Sequence, residues 1–339
     1  MKKFNQYLLL VLFVILVCSC EKENNSEDEK IIQPPCQTGV LNGFGYVDLG
    51  LSVKWANANV GASNFLETGA FFAWGETTPK DNYDWTTYRY SESNETKMTK
   101  YCFSSLGTVR DGKYILDASD DAATLYMGEG WRMPTVEEMD ELVDSCTWEW
   151  FDDYLGSGRS GCVVRSKVKG YTDQCIFLPA DGYRGGGDYA DYNQSGSYWT
   201  STLDYESHSS VCAYNLFFLN SVIVFPYNRF MGMSIRAVVG ERTQKNIPIF
   251  GDDIGVQKTS KEYIFTVKLY AGELIDYGWE FSMDENFADA INARDLSSTR
   301  VDYYDNILRL VIPKKYIEED YWDGYLRAYA TNEEGTAYR

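Results

Sequence analysis

The sequence predicts an α+β domain with few helices and long loops, followed by an all-β sandwich, and three observations lead there. Between Leu41 and Gly240, short runs of aromatic and β-branched residues alternate with Gly, Asp and Asn, the pattern of short strands joined by long loops. Within that span, Thr135 to Val143 carries both a helix start signal and an apolar face at helical spacing. From Ile249 onward the pattern turns to strict alternation, the period of half-buried strands.

The N-terminus precedes any fold. Lys2 and Lys3 are followed by an unbroken apolar run from Tyr7 to Val17. A run of about 11 residues is too short to cross a hydrocarbon core of roughly 30 Å as a helix, and it fits the apolar stretch of a secretory signal. Val17-Cys18-Ser19-Cys20 resembles a bacterial lipobox. That resemblance implies a signal peptide over 1–19, lipidation at Cys20 and attachment to the outer membrane. Several acyl chains hold a protein firmly where one holds it only marginally. Residues 20–40 form a tether, closed by Pro34-Pro35. Its segment Glu21 to Lys30 has no apolar side chain to bury, which keeps such segments disordered. The segment is similar to the acidic export tag of Bacteroidota lipoproteins, which implies exposure on the cell surface; a solvated spacer accounts for it equally well.

Charge narrows the partners. The chain carries −19 overall, and loss of the two signal lysines takes the mature part to −21. Such a surface repels phosphate backbones, so nucleic acid is excluded as a partner. Aromatic residues make up 16% of the chain, 27 of them Tyr. Tyr suits recognition surfaces and ordinary sheet faces alike.

Beyond Cys18 and Cys20, six cysteines remain at irregular spacing with no CxxC: Cys36, Cys102, Cys146, Cys162, Cys175 and Cys212. In an exported chain an even number permits disulfides. Cys162 and Cys175 flank a predicted hairpin and form the candidate pair.

The elements follow in order. Strands are predicted at Cys162–Ser166, Cys175–Leu178, Ser197–Thr202, Val211–Phe218 and Ser234–Val239. Thr135 and Glu138 have capping-box spacing, and Val136, Met139, Leu142 and Val143 share a face that Cys146 extends. A second short helix is expected over Asp120 to Tyr126. Glu241 to Pro248 reads as a polar link. Beyond it Tyr263, Phe265, Val267 and Leu269 alternate with Ile264, Thr266 and Lys268, with similar runs at Tyr277–Phe281, Ile307–Ile312 and Tyr325–Thr331. These strands fit a small β-sandwich over 249–339.

Six ordered segments carry a family resemblance: GYVDLGLSVKWANANVGAS (45–63), FFAWGET (71–77), WRMPTVEEMDEL (131–142), IFLPADGYRG (176–185), YWTST (198–202) and MSIRAVV (233–239). Together they resemble the Fibrobacter succinogenes major paralogous domain of Bacteroidota lipoproteins, placed here at 41–240. The resemblance implies a C-type lectin-like fold, similar to the formylglycine-generating enzymes, with long loops that carry specificity. YGWEFSMDENF (277–287) and GYLRAYATNEEGTAY (324–338) resemble fibronectin type III-like modules of the same surface proteins.

Residues for catalysis are sparse. His208, the one histidine, sits in a polar segment with no nucleophile motif around it, and a catalytic triad needs a base oriented by a third group. A zinc site lacks ligand spacing. Asp120-Asp121, Glu137-Glu138 and Asp152-Asp153 are paired acids of the kind a glycosidase uses, but Glu138 belongs to the helix cap and acidic chains contain such pairs by chance. Asp181 to Asp188 is glycine-rich without the Lys-Ser/Thr of a phosphate loop. No cofactor is assigned, and Asp181 or Asp188 leaves room for a structural Ca²⁺. The formylglycine-generating enzymes use a cysteine pair on copper; here Cys146 sits on a helix core face, Cys162 and Cys175 lie in strands, and Cys212 is the least excluded by position, with no clear partner in the sequence. Fold resemblance does not bring activity with it.

A binding role asks for less. Tyr183, Arg184, Asp188, Tyr189, Tyr192 and Asn193 lie in one loop region, and Tyr205, Tyr227, Asn228 and Arg229 in another. Lectin-like folds usually meet their ligands on such loops. The EPN and QPD signatures of calcium-dependent lectins are absent. The expectation is a non-catalytic, surface-exposed adhesion or recognition lipoprotein that binds a glycan or a protein of a surface or host. The alternatives are an accessory subunit of a surface or fimbrial assembly, and an oxidase or glycan-active enzyme.

Overall fold

The computed structural model describes residues 35, 37–102, 111–205, 210–242, 244–317 and 324–339. The signal segment, Cys20, most of the tether with Cys36, and His208 lie outside the described residues.

In chain order, strands β1 (Gly39–Leu41), β2 (Phe44–Val47) and β3 (Lys54–Ala56) precede helix α1 (Ala122–Met127), β4 (Trp131–Arg132) and helix α2 (Val136–Ser145). β5 (Cys146–Phe151), β6 (Gly161–Ser166) and β7 (Cys175–Pro179) form an antiparallel sheet. The small hairpin of β8 (Tyr183–Gly185) and β9 (Asp188–Ala190) follows, then a sheet of β10 (Gly196–Leu203), β11 (Cys212–Phe218) and β12 (Val222–Asn228), and finally β13 (Val238–Val239). β13 pairs with both β3 and β4, so the start and end of this part meet in one sheet of order β1-β2-β3-β13-β4. Three apolar clusters fill it, one around Phe72, Trp74, Trp131 and Trp199, a second around Val47, Trp55, Met139, Leu142, Leu216 and Phe218, and a smaller third around Tyr154, Val163 and Phe177.

The helices begin where local chemistry says they should. The Thr135 hydroxyl accepts from Glu138 N–H and the Glu138 carboxylate accepts from Thr135 N–H, a complete capping box. Val136, Met139 and Leu142 are buried behind it, and Glu137 faces out. Asp121 caps α1 by accepting from Thr124 N–H, and its second oxygen accepts from Met133 N–H. Cys146 is buried as expected, but it caps α2 and opens β5 rather than extending the helix.

Two expectations are corrected. Only Val238 and Val239 of the predicted strand Ser234–Val239 are ladder-paired: Gly232, Met233 and Ser234 bridge singly to Arg184, Phe72 and Tyr198, three different segments that cannot share one register. Cys162 and Cys175 are free thiols. They do flank a hairpin, but Cys162 pairs with Leu178 and Cys175 with Arg165. An offset of three puts their side chains on opposite faces, and accordingly they join different apolar clusters.

The C-terminal part holds β14 (Ile249–Lys258), β15 (Glu262–Tyr270), β16 (Asp276–Ser282), β17 (Ile291–Asn292), β18 (Arg300–Tyr304), β19 (Ile307–Pro313), β20 (Tyr325–Asn332) and β21 (Gly335–Tyr338). They form two four-stranded sheets, β14-β15-β19-β18 and β17-β16-β20-β21. Val267, Leu269, Trp279, Leu308, Leu310 and Ala328 make the core between them, as the alternation requires. The whole is mostly β, a mixed α+β architecture of several sheets.

The polar link is stitched to both parts. Asn246 Oδ1 accepts from Tyr114 N–H at 2.9 Å and Ile115 N–H at 2.8 Å. Its backbone N–H donates to Glu334 and its carbonyl accepts from Asn332 Nδ2.

Candidate binding surface

The β8–β9 hairpin turns through Gly186-Gly187, and Gly186 takes φ +60°, a conformation glycine adopts without strain. It is pinned on both sides. Gly186 exchanges two backbone hydrogen bonds of 2.8 Å with Tyr83, and Arg184 exchanges two with Gly232. The turn after it is fixed by Asn193, at φ +59°, whose side chain accepts from Ser160 N–H and donates to the Gly158 carbonyl.

The pairing of Arg184 with Tyr189 puts these two on one face and Tyr183 on the other. Tyr189 is 58% exposed and Tyr192 46% exposed. Tyr189 stands edge-on to Phe71 at 5.6 Å and to Tyr192 at 6.4 Å between ring centroids. Each ring is backed by a cation: the Arg184 guanidinium lies 4.8 Å from the Tyr189 ring and that of Arg159 5.1 Å from the Tyr192 ring. Arg184 donates to the carbonyls of Lys80, Asp81 and Gly187. Arg159 is bound by Asp181, Thr68 and the Tyr192 hydroxyl. Asp188 is exposed on β9, and Asp191, also exposed, follows it.

The rest of the predicted set divides. Tyr183 and Tyr227 meet edge to face at 5.9 Å and continue through Phe225 to Phe217, a half-buried aromatic stripe on the other side of the hairpin. Asn228 is half-buried at the end of β12, near the Cys212 thiol. Tyr205 leans on Tyr114 and Tyr214 and lines a separate cleft of about 540 Å³ with Tyr338 and Phe250. Arg229 is corrected outright: it is fully buried. It lies 5.0 Å from the Trp74 ring and 5.1 Å from that of Tyr88, and donates to the Tyr88 hydroxyl and the carbonyls of Lys100, Tyr101 and Ser210. No ligand reaches it. Arg159 and Phe71 went unpredicted because no spacing links them to the hairpin, whereas Asp191 is legible in the repeat Asp188-Tyr189-Ala190-Asp191-Tyr192.

The other chemical candidates hold the scaffold together. Asp120 accepts from Lys100 and Tyr101, Asp121 caps α1, Glu138 caps α2 and pairs with Arg132, Asp152 accepts from Trp150, and Asp153 accepts from Gly158 N–H. Burial pushes the thiols up, Cys146 and Cys212 to about 11 and Cys162 to about 12, away from the thiolate a nucleophile needs. Asp181, fully buried, has its oxygens taken by Asn59, Thr68 and Arg159. Among the described residues no three His, Cys, Asp or Glu gather as metal ligands. Compared with protein-family models, with curated proteins and with solved structures, the chain matches none.

Proposed function

We propose that this chain is a bacterial surface lipoprotein, anchored to the outer membrane through Cys20, which recognises a ligand without transforming it. The observation that carries the recognition role is the pair Tyr189 and Tyr192, two large exposed rings, the first on a hairpin pinned from both sides and the second in the turn that follows it. Exposed aromatic rings that are held rigid give contact area at low entropic cost. Binding is favoured over catalysis because each acid pair and each raised thiol is already engaged in the scaffold.

The lectin-like reading of 41–240 is supported by the meeting of β3 and β13, which brings the two ends of the part together and leaves long loops between. The fibronectin type III-like reading of 249–339 is supported by two four-stranded sheets around one core. The test is an array of glycans and matrix proteins probed with the full chain in detergent micelles. Binding lost in Tyr189→Ala supports the proposal; binding that survives both Tyr189→Ala and Tyr192→Ala defeats this site. Incorporation of labelled palmitate that vanishes in Cys20→Ser checks the anchor.

A second reading, an accessory subunit of a surface assembly, has one observation in its favour. β14 is an edge strand with Ile254 and Val256 exposed along it, and such edges accept added strands. Asp252 and Asp253 lie in the irregular stretch between Phe250 and Ile254, and charge in an irregular edge opposes that use.

A further inference from the structure

The free edge of the C-terminal sandwich carries its own complement, an inference that is independent of the recognition surface and deepens the assembly reading by naming the partner. β14 closes the sheet β14-β15-β19-β18 on one side, and among the described residues no strand pairs with its outer edge. From Asp252 to Lys258 every residue is exposed. Ile254 stands opposite Val267 and Val256 opposite Phe265, and residues opposite one another share a face. Val267 belongs to the sandwich core and Phe265 packs against it. Ile254 and Val256 thus point to the core side of the sheet, yet they are 38% and 60% exposed. They are a part of the core face that the second sheet leaves bare.

The charges along this edge decide what can lie on it. Asp252 and Asp253 stand towards its start, Lys258 at its end and Lys261 in the bend that follows. Opposite charges across a ladder stabilise it and like charges destabilise it. A second copy running antiparallel sets acid against base at both ends of the seam, whereas a parallel copy would set like against like. About a two-fold axis at Gly255, Asp252 lies opposite Lys258 of the second copy and Ile254 opposite Val256 of the second copy. The bare apolar face then continues across the seam, and every contact is made twice. The stretch between Phe250 and Ile254 is irregular, but the acid–base match needs only the two ends, not an exact register. We infer that two copies of this chain join edge to edge through antiparallel β14 strands, in one sheet of eight strands, four from each copy. The seam is short, which makes the pair weak and reversible.

The experiment measures energy transfer between donor-labelled and acceptor-labelled full chains, from about 1 to 100 µM, in detergent with micelles in large excess over protein. Transfer should rise with concentration and fall with added salt. Asp252→Lys with Asp253→Lys makes the edge basic throughout, and Lys258→Glu with Lys261→Glu makes it acidic throughout. Each of these chains alone should self-associate about tenfold more weakly than the wild type, and an equimolar mixture of the two should recover the wild-type association. Recovery in the mixture, with unchanged melting of each variant, separates charge pairing from damage to the fold. No transfer at any concentration, transfer indifferent to both variants, or transfer lost in both and not recovered in their mixture would overturn the proposal. A chain that stays monomeric would overturn self-pairing alone, since neither recognition through Tyr189 nor the addition of a foreign strand to this edge requires a second copy.

Discussion

Arg229 shows what a single buried cation needs. A charge taken from water is strongly penalised unless every donor is engaged, and among the described residues no carboxylate pairs with it; three carbonyls, a hydroxyl and three ring faces take its place. Arg229→Met therefore leaves those carbonyls without a donor in the core, at a cost of about 3–5 kcal/mol. Arg229→Lys should recover little of it, because an ammonium cannot reproduce the planar fork. Urea midpoints with unchanged slopes would measure both, and a wild-type midpoint for Arg229→Lys would refute the geometry. A second buried site titrates. Burial alone would raise the Asp120 and Asp117 carboxyls, but the Lys100 ammonium outweighs it and holds both below the usual range, and the same contacts raise Lys100. A depressed carboxyl contributes stability above its unfolded value of about 4, lost as pH falls through the folded one; raised Lys100 contributes below about 10.4 and loses it as pH rises further. The stability deficit of Lys100→Met should thus be constant between about pH 5 and 9 and shrink below about pH 4. Unfolding titrations across that range decide it, and a deficit that persists in acid would show that the pair is not the cause.

Helix α2 is the element most legible from the sequence, because its start is fixed by four neighbouring residues. Thr135→Ala removes the hydroxyl from Glu138 N–H and should cost about 1 kcal/mol. Glu138→Ala should cost more, about 3 kcal/mol, since it also leaves Arg132 without its carboxylate; chemical denaturation of the two variants checks the order. Where specification is not local, the reading fails. β12 is hidden by Pro226, which breaks a strand pattern; it survives because β12 is an edge strand and needs no ladder donor outward. β5 is hidden because the apolar spacing of the α2 face continues into Cys146. The thiols of β6 and β7 could be placed on one hairpin but not in register, since register is set by pairing rather than by spacing. The glycine-rich segment of β8–β9 reads in the sequence as a loop, and its strands are short enough to be set by pairing rather than by pattern; the tyrosines were legible as candidates, while the burial of Arg229 was not, because arginine is mostly a surface residue.

At the scale of the whole chain, the junction decides whether two folds behave as two bodies. The segment 241–248 has the polar composition of a flexible linker, yet Asn246 satisfies two backbone donors of one part and is bound by Asn332 and Glu334 of the other. Tyr270, at the end of β15, is buried in the apolar cluster of the first part, and Ile249 packs against it. Gly112 touches the other part so closely that a Cβ there would lie 2.2 Å from the Ala271 carbonyl carbon. Shared core and shared hydrogen bonds couple unfolding, so calorimetry of the full chain should give one transition whose calorimetric and van't Hoff enthalpies agree. Asn246→Ala removes the acceptor of Tyr114 and Ile115 without adding bulk, and Gly112→Val forces the surfaces apart. Each should split or broaden that transition while the capped helix and the sandwich core, which share no residue with the junction, keep their own cooperativity. Two resolved transitions in the wild-type chain, or an unaltered single one in both variants, would show that the contacts do not couple the parts.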